Sequence, residues 1–311
     1  MAAHMSAQDI RTPDEVLELG LLTRGFTQER IVRNKPERRE DWFQASFGCP
    51  SYVVSKMWSD LQTTGIDDAW IGDEYNDDFI LISIYDFLNA LEFLKCYLPE
   101  KKREGMTNLS AKTLRDRCWY YCRKLQALKH EKVVWPENLP PDTVWVMTVD
   151  GTHVAINEPL HPEFSQDKTY FSHKKQRAGW CYEVGMSLFT SNLIWMSGPH
   201  KAGANDKTIF KLPGGLKHVL HQEGLKAIGD KLYNGHPNEV SIFNAQDSPE
   251  VKKFKSRALK RHEGFNGLLK QFAILDGRFR NRGPEKFSIC FEAVAVICQY
   301  RLELECPLYD L

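Results

Sequence analysis

The sequence predicts an α/β domain built on a mixed sheet, preceded by an all-α region. Up to about residue 130 the apolar residues recur at helical spacing. After Pro136, Pro140 and Pro141 the pattern turns strand-like, and two long helical stretches close the chain. Strand runs interleaved with helices are the grammar of an α/β sheet. The expected division is a helical region over residues 1–140 and an α/β domain over residues 141–311.

Within the first region, Phe43, Phe47, Val53, Val54, Met57, Trp58 and Leu61 lie at roughly helical spacing. Gly48-Cys49-Pro50 interrupts them, which predicts a turn between two short helices. A helix is expected near Ile80–Tyr97, then a basic turn with Lys101, Lys102, Arg103 and Gly105. Ser110 stands where an N-cap belongs, ahead of a helix over Ala111–Lys129. That helix carries Lys112, Arg115, Arg117, Arg123 and Lys124, with Trp119 and Tyr120 as candidates for stacking on bases or packing in the core. Helix, turn, basic helix over residues 84–130 is the outline of a helix-turn-helix reader of double-stranded DNA. Any helical hairpin with a polar face shares that outline.

In the second region, Val144–Val149 is a β-branched run that ends at Asp150-Gly151. Residues 180–189 and 192–197 form an expected hairpin turning at Ser191-Asn192. Leu225–Gly229 leads as a short strand into Asp230, and Val240–Phe243 is a further strand. Helices are expected over residues 248–275 and 285–304.

Net charge is zero, which argues against a wholly basic, DNA-coating protein, yet the charge is segregated. Residues 57–94 hold nine Asp and Glu and no Lys or Arg, whereas residues 251–282 hold ten Lys and Arg against Glu263 and Asp276. A basic segment of that kind attracts phosphates even in a neutral chain. The eight cysteines form no paired ligand spacing for a structural zinc and are expected as reduced thiols in a reducing compartment. No apolar run is long enough to cross a bilayer, and the first residues lack a basic-then-apolar leader pattern.

Three carboxylates stand at telling places. Asp150 and Asp230 are expected at strand ends, where they can share one rim of a sheet, and Glu263 lies in the basic helix. Turn chemistry accounts for any single Asp-Gly. The ordered triple, among Lys252, Lys253, Lys255, Arg257, Lys260, Arg261 and Lys270, suits two hard divalent cations acting on a phosphodiester.

The residues around these acids resemble Harbinger-like (PIF/Harbinger) DDE-superfamily transposases. Asp150-Gly151-Thr152-His153-Val154-Ala155-Ile156 is similar to the family's first-aspartate motif. Tyr170–Lys175 resembles its tyrosine-and-basic segment, and Gly203–Phe210 its glycine, aspartate and phenylalanine block. Ile228-Gly229-Asp230 is similar to the second-aspartate motif, and Arg261–Phe272 to the glutamate helix. The resemblance covers about residues 143–280 and implies an RNase H-like fold. It implies a nuclear enzyme that cuts DNA at transposon ends and joins 3′-OH ends to new strands. Two Mg²⁺ or Mn²⁺ ions would be held by Asp150, Asp230 and Glu263 as catalytic residues and metal ligands. It leaves room for a Myb-like accessory protein and for a homodimer. The cations expected against the nucleic acid are Lys174, Lys175, Arg177, Lys260, Arg261, Lys270, Arg115 and Arg123.

The sequence departs from the family pattern at Lys231 and Leu232, where a small residue and glycine usually stand, at Asn205 in place of histidine, and at Gly264. These departures keep open a domesticated transposase that binds DNA or protein without cutting. A nuclease acting on RNA is a third option. Asp206 is an expected extra acid near the metals or a helix N-terminal residue. His153 is expected to touch substrate, to steady Asp150, or to be structural, and His218 and His221 to lie on the surface.

Overall fold

The computed structural model describes residues 10–63, 83–107, 109–157, 167–173 and 175–311. Most of the acidic run therefore lies outside the described residues, as does Lys174. The described chain divides into two compact units. One holds residues up to Lys129 with Phe272–Ile274 and Glu292–Glu305. The other holds His130–Gln271, Leu275–Phe291 and Cys306–Leu311. The division is thus interleaved, where the sequence predicts a single cut at residue 140.

The first unit is helical. Its elements are α1 (Pro13–Thr23), α2 (Gln28–Arg33), α3 (Pro36–Phe47), α4 (Ser51–Thr63), α5 (Ile84–Cys96), α6 (Glu100–Thr107) and α7 (Ala111–Ala127); the short α8 (Lys129–Lys132) begins at the last residue before the division and runs into the second unit. The turn expected at Gly48 is present. Gly48 caps α3 in the left-handed region, φ 89°, and donates its N–H to Gln44. Ser110 caps α7 by accepting from the N–H of Thr113 at 3.1 Å. Trp58, Phe87 and Tyr121 form an aromatic core whose ring centroids lie 5.6–6.1 Å apart.

The expected basic turn is instead helix α6. Arg103 is buried there, donating to Glu92 at 3.1 Å and to the Asn89 carbonyl at 2.9 Å. A guanidinium between a carboxylate and a carbonyl is satisfied inside the fold, so it orders the segment rather than facing solvent. The helix-turn-helix outline over 84–130 becomes three helices. Its cations are largely paired: Arg115 with Glu100 through two 2.8 Å bonds, Arg117 with Asp86, and Lys112 with Asp116. Trp119 and Tyr120 are both buried, so neither ring is offered to a base.

The second unit carries the sheet. Its strands are β1 (Trp145–Ile156), β2 (Phe171–Ser172), β3 (Arg177–Ser187), β4 (Leu193–Lys201), β5 (Lys226–Ile228), β6 (Val240–Ser241) and β7 (Arg278–Phe279). Helices α9 (Asp206–Phe210), α10 (Leu216–Glu223) and α11 (Pro249–Lys270) belong to it, and α12 (Ala273–Asp276) is divided between the two units. A last helix, α13 (Pro284–Leu304), closes the chain. Strands β1, β3 and β4 make an antiparallel meander, while β5 runs parallel to β1 and β6 parallel to β5. The result is a mixed seven-stranded sheet.

β1 runs further than its β-branched run. It stays paired with β3 out to Ala155 opposite Gly179, and β7 joins it at Ala155 and Ile156. Asp150 therefore sits inside the strand, where the sequence predicts a strand end. Partner strands, invisible in a local window, extend it. β5 leaves β1 after Thr148 pairs with Ile228, and β7 arrives only at Ala155. The sheet forks between these two points.

A core of Val149, Phe210, Leu220, Tyr233 and Val240 lies against β1 on the α9 and α10 side. Ala258 of α11 packs with Ile228 and Leu188, backed by Trp145 and Phe254. No described helix is long and apolar enough to cross a membrane.

α11 contains two interior glycines. A Cβ at Gly267 would meet nothing within 4 Å, and one at Gly264 would only touch Leu308 Cδ2 at 3.5 Å. Glycine costs about 0.5–1 kcal/mol relative to alanine inside a helix. Gly267→Ala is therefore expected to raise stability by about that amount in urea unfolding; a destabilised variant would show that the helix is strained there.

Candidate active site

Strand alternation sorts the residues of β1 onto two faces. Thr148, Asp150 and Thr152 point toward α11. Thr148 Oγ1 shares a hydrogen bond of 2.8 Å with His262 Nδ1. Asn266 Nδ2 donates to Asp150 Oδ2 at 3.2 Å, and Thr152 Oγ1 donates to Asn266 Oδ1. His262 and Asn266 are one turn apart, so the two bonds register the helix against the strand. Burial holds the His262 imidazole below its ordinary pKa, which keeps the ring neutral in this interface.

Glu263 lies between these two anchors, exposed on the same stretch of α11. Asp230 stands two residues beyond Ile228, as Asp150 stands two beyond Thr148, and the β1–β5 register ends at that Thr148–Ile228 pair. Asp230 also caps a 3₁₀ turn, Lys231–Tyr233, accepting from the Leu232 N–H at 2.8 Å. That turn swings Tyr233 into the core beside Phe210 and explains why Lys231 and Leu232 are tolerated after the aspartate: both side chains are exposed.

Among the described residues, Asp150 Oδ1, Asp230 Oδ2 and both oxygens of Glu263 have no hydrogen-bond partner. The three acids are not brought within 4.8 Å of one another as a set; the described group that meets that spacing is His153, Cys181 and Asp206. Two ions about 3.5–4 Å apart need a wider ligand spread than one ion does, because the flanking carboxylates hold different ions.

The basic surroundings of Glu263 are partly used within the fold. Lys255 is buried, with its ammonium 2.7 Å from Asp247 and 2.8 Å from the Ile242 carbonyl. Arg261 is likewise buried and donates to the carbonyls of Ser187 and Thr190. It was expected against phosphate, but those carbonyls at the β3–β4 turn engage its donors instead. Lys252 and Arg257 bond the carbonyls of Ala245 and Asp310. Lys253, Lys260 and Lys270 stay exposed on α11. Lys175, Arg177 and Lys270 line one cavity of about 220 Å³, with His153 at its wall. Three of the cations expected at nucleic acid thus come together. Arg115 and Arg123 lie in the other unit, the first paired with Glu100 and the second half-buried.

The opposite face of β1 holds Gly151 and His153. Across the register, Gly151 faces Glu183 and His153 faces Cys181. Asp206, the first residue of α9, reaches over Gly151 so closely that a Cβ there would lie 2.3 Å from its Oδ1. Asn205 caps that helix, accepting from the Thr208 N–H at 2.8 Å, which is a sufficient reason for asparagine at this position. His153 therefore does not steady Asp150; Asn266 does. Sequence reasoning does not single out Asn266, which bonds Asp150, or Cys181, which meets His153. The i+3 spacing of Asn266 from Glu263 was the available signal, whereas Cys181 becomes visible only through the β1–β3 register. His218 and His221 are exposed on α10, as expected.

The match to known proteins falls mainly on this unit. Residues 149–299 match the model of a family described as DDE superfamily endonuclease, a little under half of the chain. The matched stretch begins one residue before Asp150 and contains Asp230 and Glu263. It points to a transposase-like nuclease domain in this region. No curated protein and no solved structure matches the chain.

Glu183 provides a pH readout of this interior. It is buried and accepts from Trp195 Nε1 at 3.0 Å. Burial pushes its carboxyl up from 4.5 to about 8, the Trp195 bond pulling it down and Asp206 adding to the rise. The folded chain keeps a proton that the unfolded chain releases near 4.5, so the contribution of Glu183 is full below that pH and is lost as pH climbs toward 8. Glu183→Gln is expected to match the parent in thermal melts near pH 4.5 and to exceed it increasingly up to pH 8. A difference that stays flat with pH would contradict the assignment.

Proposed function

We propose that this chain is a metal-dependent DNA endonuclease and transposase of the Harbinger-like DDE type, with an RNase H-like catalytic unit. What supports the proposal is the β1–β5 register, which ends two residues short of both Asp150 and Asp230, and the tie of the Glu263 helix to β1 through His262 and Asn266. The meander of β1, β3 and β4 with parallel β5 and β6 supports the RNase H-like assignment.

The donor set fits hard divalent cations. Three carboxylates offer oxygen alone, and each keeps at least one oxygen without a hydrogen-bond partner among the described residues. Asp150, Asp230 and Glu263 would hold two Mg²⁺ or Mn²⁺ ions, which supply an activated water or 3′-OH and stabilise the leaving oxygen. Asn266 fixes the rotamer of Asp150 through one oxygen and leaves the other to bind. The 3₁₀ turn orients Asp230 in the same manner through Leu232. Lys260 and Lys270, exposed on the helix that carries Glu263, draw the phosphates of double-stranded DNA toward it. Nuclear location, a Myb-like accessory protein and a homodimer belong to the same proposal and rest on the resemblance.

A second function, a DNA- or protein-binding factor that no longer cuts, is favoured by one observation: the three acids do not close to 4.8 Å as a set. Strand nicking of supercoiled DNA with Mn²⁺ separates the two. The endonuclease is expected to nick, and Asp150→Ala, Asp230→Ala and Glu263→Ala are each expected to lower the rate at least a thousandfold, while Asn266→Ala lowers it by about tenfold through a lost hydrogen bond of about 1–1.5 kcal/mol. A fully active Asp150→Ala protein would falsify the assignment. Cleavage of matched RNA but not DNA would reassign the substrate.

A further inference from the structure

We propose a second metal site, distinct from the three-acid site, in which His153, Cys181 and Asp206 bind one borderline-soft transition-metal ion of the Zn²⁺ class. The three donors come from β1, β3 and the start of α9, and one ligand atom from each lies within 4.8 Å of the others. They occupy the face of β1 opposite Asp150, because His153 and Gly151 alternate with Asp150 and Thr152.

The spacing fits the ion. A thiolate at about 2.3 Å and an imidazole nitrogen at about 2.0–2.1 Å, at the tetrahedral angle, stand about 3.6 Å apart. Cys181 Sγ and His153 Nε2 lie 3.6 Å apart. The pair is joined by a thiol–imidazole hydrogen bond, and the same separation is right for two ligands of one zinc once the thiol proton is lost.

The donor chemistry separates this site from the other. Sulfur, nitrogen and one oxygen select Zn²⁺ or a similar ion over Mg²⁺, whereas three carboxylates do the reverse. A cysteine nucleophile is the competing use of the same residues. Cys181 is fully buried, which keeps a substrate carbon from reaching it, while the three donors are close enough together to share one ion. His153 is half-buried and borders the 220 Å³ cavity, which gives an ion a way in and leaves the fourth tetrahedral position for solvent or an anion. Binding releases the thiol proton and ties α9 to the sheet directly across from Asp150.

The backbone is shaped for this arrangement. Asp206 Oδ1 occupies the space that any Cβ at residue 151 would need, so glycine there is what lets the carboxylate lie beside Cys181.

The test is Co²⁺ titration of the full chain, purified under a non-chelating reductant and followed by absorption. One equivalent of Co²⁺ is expected to produce a thiolate-to-cobalt charge-transfer band with tetrahedral d–d bands, and Zn²⁺ to displace it. Cys181→Ser should abolish the charge-transfer band. His153→Gln, a change at a half-exposed position, should weaken Co²⁺ binding at least about tenfold. Asp230→Ala should leave the spectrum intact, which separates this site from the proposed nuclease site. A parent protein without the band, or a band that survives Cys181→Ser, overturns the proposal whatever the nuclease assay shows.

Discussion

The side-chain alternation of one strand, β1 between Thr148 and His153, is the constraint on which the rest depends. Because the period is two, neighbouring residues cannot share a face. Thr148, Asp150 and Thr152 meet α11, and Gly151 and His153 meet β3 and α9. A one-residue slip of β1 would exchange the two sets and dismantle both. The register is held along nine successive pairs with β3, from Met147 with Ser187 to Ala155 with Gly179. Hydrogen bonds from His262 and Asn266 fix the same register from above.

α11 shows how a basic helix can serve two purposes. Its buried side uses cations as internal ties: Lys255 joins Asp247 to the Ile242 carbonyl, and Arg261 gathers the β3–β4 turn. Burying a charge costs several kcal/mol unless it is compensated; Asp247 does this for Lys255, whereas Arg261 is compensated by backbone carbonyls. Its exposed residues include Lys253, Lys260 and Lys270 as well as Glu263. Counting basic residues along the sequence therefore overstates the positive surface, since the count cannot separate ties from free charges.

Most of the second unit was legible in the sequence, because its strands and helices advertise themselves by period. The β3–β4 hairpin, α11 and α13 fall close to their expected spans. The end of β1 was not legible, since Asp150-Gly151 reads as a turn and only pairing with β3 and β7 carries the strand through it. The helix that replaces the expected basic turn at 101–105 is hidden in the sequence for a similar reason. Arg103 has its partners at Glu92 and Asn89, eleven and fourteen residues earlier, on another helix. The three acids stand out in the sequence through motif order. The His153–Cys181–Asp206 group does not, because its members come from three elements with no fixed spacing.

The proposed function rests on Asp150, Asp230 and Glu263 holding a pair of divalent cations. Anomalous diffraction from crystals of the full chain grown with Mn²⁺ tests this most directly. The account predicts two peaks about 3.5–4 Å apart, lying among those three carboxylates. Manganese absent from them, or found solely beside His153, Cys181 and Asp206, would contradict it.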